Sequence, residues 1–400
     1  MSYKLSIKTR DLRIQAMQQV MDKAGADGIV FTTSDFIQYA TNFAVDVLPW
    51  ERPIFTFVTR DGNIHSIFNE LSTNHIKFSC VKGTLWVPES EIYFYSEHPR
   101  VVNIVPTQHQ LPDLIAHVIS KAGLQGKKIL CEGLGGLLVA GQKLSAGTTL
   151  HPDLGLLRSL RWVKTDEELH IMRSLAKLTD WAQERFKERY KPGVKTQVLD
   201  YEVAALIAEE ASNRFPGESF DLMRCWTLSG PASASPHGDG ANVGATIEKG
   251  HNIVNFVLPR LNGYYVENER TWFVGKPNYM QKRCFEAARA ATKAGVEAAK
   301  PGNPVNAIDA AAFAVIKDAG LDEYVYHRTG HGVGLMLHEY PEDMAFNTRP
   351  LLANEVFSCE PGLYVYGLGG FRIDDTVVVS DTPEVLVSTP SDIDWVTLDA

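Results

Sequence analysis

The stretch Gly263-Tyr264-Tyr265-Val266-Glu267-Asn268-Glu269-Arg270-Thr271 gives the first indication of both the fold and the chemistry of this 400-residue chain. Glu267 and Glu269 are two residues apart, so on a β-strand their side chains lie on the same face. Carboxylates that share a pocket repel each other unless a cation lies among them, either a metal ion or a cationic substrate. The stretch therefore predicts a strand that carries an anionic functional site.

Polar side chains with catalytic potential form four more groups in the same half of the chain. They are Ser229-Gly230 with His237, His331 in Gly330-His331-Gly332-Val333-Gly334 with His338-Glu339, Glu360-Pro361, and Arg372-Ile373-Asp374-Asp375. A histidine with a near-neutral pKa can take a proton from water and return it to a leaving nitrogen. Histidines and carboxylates in this order predict hydrolysis of a C–N bond.

The length of the chain favours two domains, because 400 residues exceed what one hydrophobic core usually holds. Residues 1–160 alternate between helical and strand patterns, which predicts an α/β domain. Residues 161–400 are predicted as a second domain. Near its start, Thr165 and Glu168 have the spacing of a capping box and open a long helix toward Tyr190.

Two halves of the second domain follow the same order of elements. A helix, Lys191-Pro192-Gly193, a second helix and strands are followed by a helix, Lys300-Pro301-Gly302, a helix and strands. Such a repeat predicts two structurally related halves, and a cleft between related halves is a natural place for a site.

Composition excludes several classes of function. The net charge of −9 argues against nucleic acid or an anionic membrane as the main partner. No apolar run is long enough to span a bilayer, and residues 1–10 lack the apolar core of a secretory signal. The five cysteines form no C-x-x-C pattern or disulfide framework, so a reducing cytoplasm is predicted.

The order of these motifs resembles the pita-bread fold family, which includes methionine aminopeptidase, prolidase, Xaa-Pro aminopeptidase and creatinase. The resemblance covers the chain from about Arg161 and, more loosely, the amino-terminal domain. It implies a mixed α/β (α+β) architecture. A pita-bread catalytic domain with two related halves would follow a smaller α/β domain of the creatinase/prolidase type.

In the metal-dependent members of this family five ligands recur, namely two aspartates, a histidine and two glutamates. The resemblance places them at Phe256, Glu267, His331, Glu360 and Asp374. A phenyl ring cannot bind a divalent cation, and two of the acidic residues differ in length by one methylene. Because a dinuclear site needs a bridging carboxylate, we expect no metal and no other cofactor.

Creatinase, the metal-free member, is the more similar one at these motifs. That resemblance implies that His237 is the general acid/base, that Glu269 and Glu360 hold a cationic group of the substrate, and that His331 assists them. Glu267 is expected to orient the substrate.

A segment of the first domain adds a candidate for substrate binding. Trp50-Glu51-Arg52-Pro53 resembles the creatinase segment whose arginine reaches the site of the other subunit, which implies a homodimer. Tyr264 and His338 are further candidates for substrate contact. Glu342 stands where creatinase has a second arginine, which argues against creatine itself.

We therefore predict metal-independent hydrolysis of a C–N bond in a small, nitrogen-rich substrate. One alternative is a prolidase or Xaa-Pro aminopeptidase with an atypical metal site. Its ligands would be Glu267, Glu269, His331, Glu360 and Asp374. Further alternatives are a lyase on the same fold and a catalytically inactive binding protein.

Overall fold

The computed structural model describes residues 3–45, 47, 51–96, 111–238, 244–341 and 343–399. Glu342 and part of the Trp50–Pro53 segment therefore lie outside the described residues. The chain divides into two compact units, Met1–Arg161 and Trp162–Ala400.

The first unit is an α/β structure. Its helices are α1 (Ile7–Ala24), α2 (Ser34–Thr41), α3 (Thr73–Lys82), α4 (Leu111–Lys121) and α5 (Leu154–Arg158). Its strands are β1 (Gly28–Phe31), β2 (Phe55–Thr59), β3 (Ile64–Asn69), β4 (Ile92–Tyr95), β5 (Lys128–Cys131) and β6 (Thr149–Pro152). Within the described residues they form one mixed sheet in the order β4-β3-β2-β1-β5-β6. Apolar residues of α4 pack against this sheet and form its core.

The second unit combines helices with a large, mainly antiparallel sheet. Its helices are α6 (Asp166–Lys187), α7 (Thr196–Arg214), α8 (Tyr279–Ala298), α9 (Asn306–Asp318) and α10 (Ile393–Val396). Its first strands are β7 (Phe220–Ser229), β8 (Asn252–Leu261), β9 (Tyr264–Tyr265) and β10 (Asn268–Val274). The others are β11 (Val356–Cys359), β12 (Gly362–Val365), β13 (Gly369–Arg372), β14 (Asp374–Val378), β15 (Glu384–Val385) and β16 (Thr397–Leu398).

The central path of the large sheet is β11-β14-β10-β8-β7, with β9, β15 and β16 attached at its sides. Strands β12 and β13 form a separate hairpin. The predicted order of elements is confirmed in both halves, because α6 and α7 precede β7 and β8, and α8 and α9 precede β11 to β14. No helix in the described part of the chain is both long and apolar enough to cross a bilayer.

The predicted capping box at the start of α6 is confirmed. Thr165 Oγ1 accepts from the Glu168 backbone, and the Glu168 carboxylate accepts from the Thr165 N–H. The helix ends at Lys187, before the predicted Tyr190, although the Tyr190 N–H still donates to the Phe186 carbonyl. The last turn is irregular because Pro192 and Gly193 follow, and Gly193 has a φ of 86°.

Strand β10 is anchored through the face opposite Glu269. The Arg270 guanidinium, almost fully buried, donates to the carbonyls of Thr389 and Asp374 and pairs with Asp375 at 2.9 Å. Asn268 donates to Thr179 of α6 and to Thr389. These contacts fix the strand that carries the acidic side chains.

We predict that Arg270→Met lowers the free energy of unfolding by about 3–5 kcal/mol, because it removes a buried guanidinium and leaves the partly buried Asp375 carboxylate uncompensated. Urea unfolding followed by circular dichroism measures the loss. The control is Arg289→Met, which removes a half-exposed pair with Asp392 and should cost no more than about 1 kcal/mol. Equal losses in the two variants would contradict the anchoring role.

Candidate metal centre

A row of four cross-strand neighbours forms the floor of the site. Trp226 of β7 pairs with Phe256 of β8, Phe256 pairs with Glu269 of β10, and Glu269 pairs with Asp374 of β14. Directly opposed residues present their side chains on the same face of a sheet. Two aromatic rings and two carboxylates thus lie side by side on this face.

Glu267 precedes β10 and is held there by Thr376 of β14. The Glu267 N–H donates to Thr376 Oγ1, and that hydroxyl donates to the Glu267 carbonyl, both at 2.9 Å. Glu267 and Glu269 thus form a pair of buried carboxylates at the start of β10, and Asp374 of the neighbouring strand β14 lies beside them.

His331 and Glu360 reach the same place from the segment that lies along β11. The Ser358 N–H donates to the His331 carbonyl at 2.8 Å, and the Glu360 N–H donates to the Thr329 carbonyl. A side chain at Gly330 would collide with the Ser358 backbone, so the glycine permits this close approach. His331 Nε2 lies 3.3 Å from Glu360 Oε1 and 3.7 Å from Glu267 Oε1.

The ligand atoms of these side chains form two overlapping groups within the described residues. One contains Glu267, His331 and Glu360, and the other contains Glu267, Glu269, Glu360 and Asp374. In each group the candidate atoms lie within 4.8 Å of one another. Carboxylate and imidazole are ligands that Mn²⁺, Co²⁺ and Zn²⁺ accept.

Arg372 is the fixed cation at the centre. Its Nε pairs with Glu269 Oε2 at 2.5 Å, Nη1 lies 3.7 Å from Glu360 Oε2, and Nη1 donates to the Tyr364 hydroxyl at 3.0 Å. The guanidinium carbon stands 4.6 Å from the centroid of the Phe256 ring. Burial alone would lower the pKa of Arg372, but the surrounding acids, Glu269 first, raise it.

The directions of the pKa shifts indicate that one guanidinium does not neutralise the negative charge of the clustered acids. Burial is the largest cause that raises the pKa of Glu267, Glu269 and Asp374, and neighbouring carboxylates add to it. Burial would also raise the pKa of Glu360, but the neighbouring His331 imidazole and the charge of Arg372 outweigh it and lower that pKa. The cluster therefore favours an additional positive charge.

The site has atoms and space for such a charge. Both carboxylate oxygens of Asp374, Oε1 of Glu267 and Nε2 of His331 are buried without a hydrogen-bond partner in the described structure. The cleft beside them has a volume of about 30 Å³, and a water molecule needs roughly 10–15 Å³. These residues fit a divalent cation.

The predicted site residues divide into those that the structure brings together and those that it does not. His237 and His338 line the same cleft as Glu267, Glu269 and Glu360. The imidazole of His338 stacks on His331 with centroids 3.7 Å apart. Burial and the neighbouring His331 lower the pKa of His338 to about 4, so it is neutral at pH 7.

Tyr264 is not among the residues that line this cleft, and its contact with a substrate stays a prediction. Its ring is buried, and its hydroxyl donates to Glu168 Oε1 at 2.8 Å, which links β9 to the start of α6. Arg52 lies in the first unit, where its guanidinium pairs with Glu51 at 2.9 Å. Its contact with a substrate stays a prediction.

Two residues beside the cluster escaped the sequence analysis. Tyr364 receives the Arg372 hydrogen bond and contacts His327 Nε2 at 2.7 Å. Arg372 was grouped with Asp374 and Asp375 in the sequence analysis, but no role was assigned to it. Its position two residues before Asp374, on the same face as the acids, was the available signal.

Comparisons with known proteins agree with this arrangement. A model of metallopeptidase family M24 matches residues 170–381, and a model of the creatinase/prolidase N-terminal domain matches residues 13–163. The chain is 28% identical over 387 residues to the putative dipeptidase YkvY of Bacillus subtilis, covering 95% of this chain and 99% of that protein.

Two further similarities concern part of the sequence and the fold. The chain is 33% identical over 226 residues to the Xaa-Pro dipeptidase of Pyrococcus furiosus, covering 56% of this chain and 63% of that enzyme. The crystal structure of dipeptidase PepE from Mycobacterium ulcerans has a TM-score of 0.80 at 25% identity, covering 99% of this chain and 100% of that chain. The predicted fold class, a creatinase-type α/β domain followed by a pita-bread domain, is confirmed.

The predicted metal-independent reaction on a small nitrogen-rich substrate is wrong. The matching family model is one of metallopeptidases, and the relatives are named as dipeptidases. The prediction treated Phe256 as the loss of an indispensable carboxylate. In the structure the carboxylate of Glu269 stands directly across from Phe256, so the row retains an acidic ligand beside the substituted position.

We predict that Asp374→Asn weakens Mn²⁺ binding at least tenfold, or about 1.4 kcal/mol, while the metal-free protein keeps or gains thermal stability. The reason is that the substitution removes a ligand and one of several mutually repelling buried charges. Calorimetric titration and melting curves with and without Mn²⁺ measure both effects. Glu384→Gln, which alters a half-exposed pair with Arg173, is the control. Equal Mn²⁺ stabilisation in both variants would contradict the assignment.

Proposed function

We propose that this chain, which belongs to metallopeptidase family M24, is a metal-dependent dipeptidase related to the Xaa-Pro dipeptidases. The observation that carries the proposal is the convergence of ligand atoms from Glu267, His331, Glu360 and Asp374. Atoms of Glu267, His331 and Asp374 are buried there without hydrogen-bond partners in the described structure. Such a cluster is costly to bury unless a cation completes it.

The proposed metal ligands have different roles. Glu267 and Glu360 belong to both groups of ligand atoms and would contribute to each of them. His331 would complete one group, and Glu269 with Asp374 the other. With a divalent cation held there, these residues would provide polarisation of the peptide carbonyl and a bound water of lowered pKa.

The chain's own residues would hold and orient these ligands. Arg372 fixes Glu269 through its Nε and keeps Glu360 ionised through its charge. His331 is oriented by its ring nitrogen Nδ1, which lies 2.9 Å from the Gly332 carbonyl. A ligand whose other ring nitrogen is fixed in this way keeps one tautomer and one direction.

His237 is the proposed proton-transfer group. It lies at the exposed rim of the cleft, and burial, with the charges of Arg372 and Arg224, lowers its pKa. A neutral imidazole in that position can accept a proton and return it to the leaving amine. His338, also neutral, is the proposed hydrogen-bonding partner of the substrate inside the cleft.

Dipeptides are the proposed substrate class, because the relatives that match both the whole chain and its catalytic unit are named as dipeptidases. A dipeptide supplies one scissile C–N bond, an amino group and a carboxylate.

The five cysteines are free, which supports the proposed location in a reducing cytoplasm.

We predict that protein stripped with a chelator loses at least about 100-fold in kcat/KM on dipeptides such as Ala-Pro and regains it with Mn²⁺, Co²⁺ or Zn²⁺. Steady-state kinetics with elemental analysis of each sample measures this. His331→Ala should remain inactive after metal is added, whereas the control His65→Ala, in the first unit, should behave like wild type. Full activity in protein shown to contain no metal would refute the proposal.

A homodimer that shares its site through Arg52 is the proposed assembly. We predict that Arg52→Ala raises KM, because a guanidinium that contacts the substrate acts mainly in binding. Mixing Arg52→Ala with His237→Ala subunits should restore activity, since each hybrid dimer then holds one intact site. No recovery in hybrids verified by mass spectrometry, or a monomer by sedimentation, would count against a shared site.

A further inference from the structure

A dipeptide substrate brings a carboxylate to a site that is already crowded with carboxylates. Its binding requires a cation with free donors, placed at the margin of the acidic cluster. Two arginines, Arg224 and Arg372, are the cations among the described residues that line the cleft. Arg372 already pairs with Glu269, lies near Glu360 and donates to Tyr364.

Arg224 differs from Arg372 in its burial and in its ionic contacts. Its side chain is half-buried, and no carboxylate of the described residues lies within ion-pair distance of it. Its guanidinium stands over the Trp226 ring, 4.7 Å from the centroid. Stacking holds the planar group by its face and leaves its N–H edges able to bind a carboxylate in bidentate fashion.

A β-bulge explains why Arg224 faces the site. The register between β7 and β8 shifts after Leu222, so that Leu222 opposes Pro259 and Arg224 opposes Leu258. Met223 is the extra residue. Bulges of this kind change the direction of side chains beside active sites. Beyond the bulge, Arg224 shares the face of Trp226 and therefore of the acidic row.

The space around Arg224 suits the carboxyl-terminal half of a dipeptide. A second cavity, of about 440 Å³, lies along α7 and β7. Arg224 and His237 line both this cavity and the small cleft that contains the acids. A ligand whose scissile bond lies in the cleft can thus extend past His237 into the larger cavity with Arg224 at the junction.

We propose that Arg224 is a specificity-determining residue that binds the carboxylate of the carboxyl-terminal residue of the substrate. This inference rests on the proposed dipeptidase function for the identity of the ligand. Its physical content is narrower: the site discriminates a free carboxylate from an amide, and the Arg224 guanidinium provides the discrimination.

The kinetic experiment compares Ala-Pro with Ala-prolinamide in wild type, Arg224→Met and Arg224→Lys. We expect Arg224→Met to lose at least about 30-fold in kcat/KM on Ala-Pro, through KM, and less than about threefold on the amide. Arg224→Lys should recover part of the loss, because it keeps the charge without the planar fork.

The control is Arg260→Met. Arg260 lies on the neighbouring strand β8, stands 5.6 Å from the Tyr265 ring centroid and pairs with Asp221, but does not line the cleft. We expect this variant to keep the wild-type ratio of rates on the two substrates. Melting curves of all variants separate a loss of selectivity from a loss of stability.

A binding experiment separates this inference from the proposed function, because it needs no turnover. Calorimetry measures proline and prolinamide binding to the same proteins. Wild type should bind proline at least about 30-fold more tightly, and Arg224→Met should bind the two equally. If no dipeptide is cleaved but this discrimination is found, the proposed function fails and the role of Arg224 stands.

Two results overturn the inference while leaving the dipeptidase function intact. One is a wild-type protein that binds proline no better than prolinamide. The other is an Arg224→Met variant that retains the wild-type preference for proline, or that binds both ligands more weakly by the same factor and melts at a lower temperature. The latter would show that Arg224 only supports the sheet.

Discussion

The structure depends on how buried negative charge is balanced. Four carboxylates, from Glu267, Glu269, Glu360 and Asp374, converge within a few ångströms and are largely removed from water. One guanidinium, that of Arg372, lies among them in the described structure. Because isolated charges are expensive to bury, the cluster persists only with added protons or an added cation. The proposed metal site rests on this imbalance.

The sheet supplies the precision that such a site needs. Cross-strand pairing aligns Trp226, Phe256, Glu269 and Asp374 in one row, so neighbouring side chains are positioned by backbone hydrogen bonds. The opposite face of β10 is held by Arg270 and its carbonyl partners. Ligands on rigid strands are more precisely placed than ligands on loops.

Much of this architecture could be predicted from local sequence. The capping box at Thr165 and Glu168 and the alternation of Glu267 and Glu269 report interactions within a few residues, and both expectations agree with the structure. The electrostatic balance could not be predicted in the same way. Whether Glu269 compensates for Phe256 depends on cross-strand register, and the orientation of Arg224 depends on a bulge. Both are set by tertiary pairing rather than by spacing along the chain.

The phenyl ring of Phe256 in the acidic row also restricts which replacements the site tolerates. Phe256 packs against the Arg372 guanidinium and against Trp226, and the Arg224 guanidinium lies over the Trp226 ring. A carboxylate introduced at position 256 would compete for Arg372, release Glu269 and remove the ring against which Trp226 packs. The side chains of Phe256, Trp226, Arg224 and Arg372 therefore act as one unit, because a replacement of any one of them changes the surroundings of its neighbours.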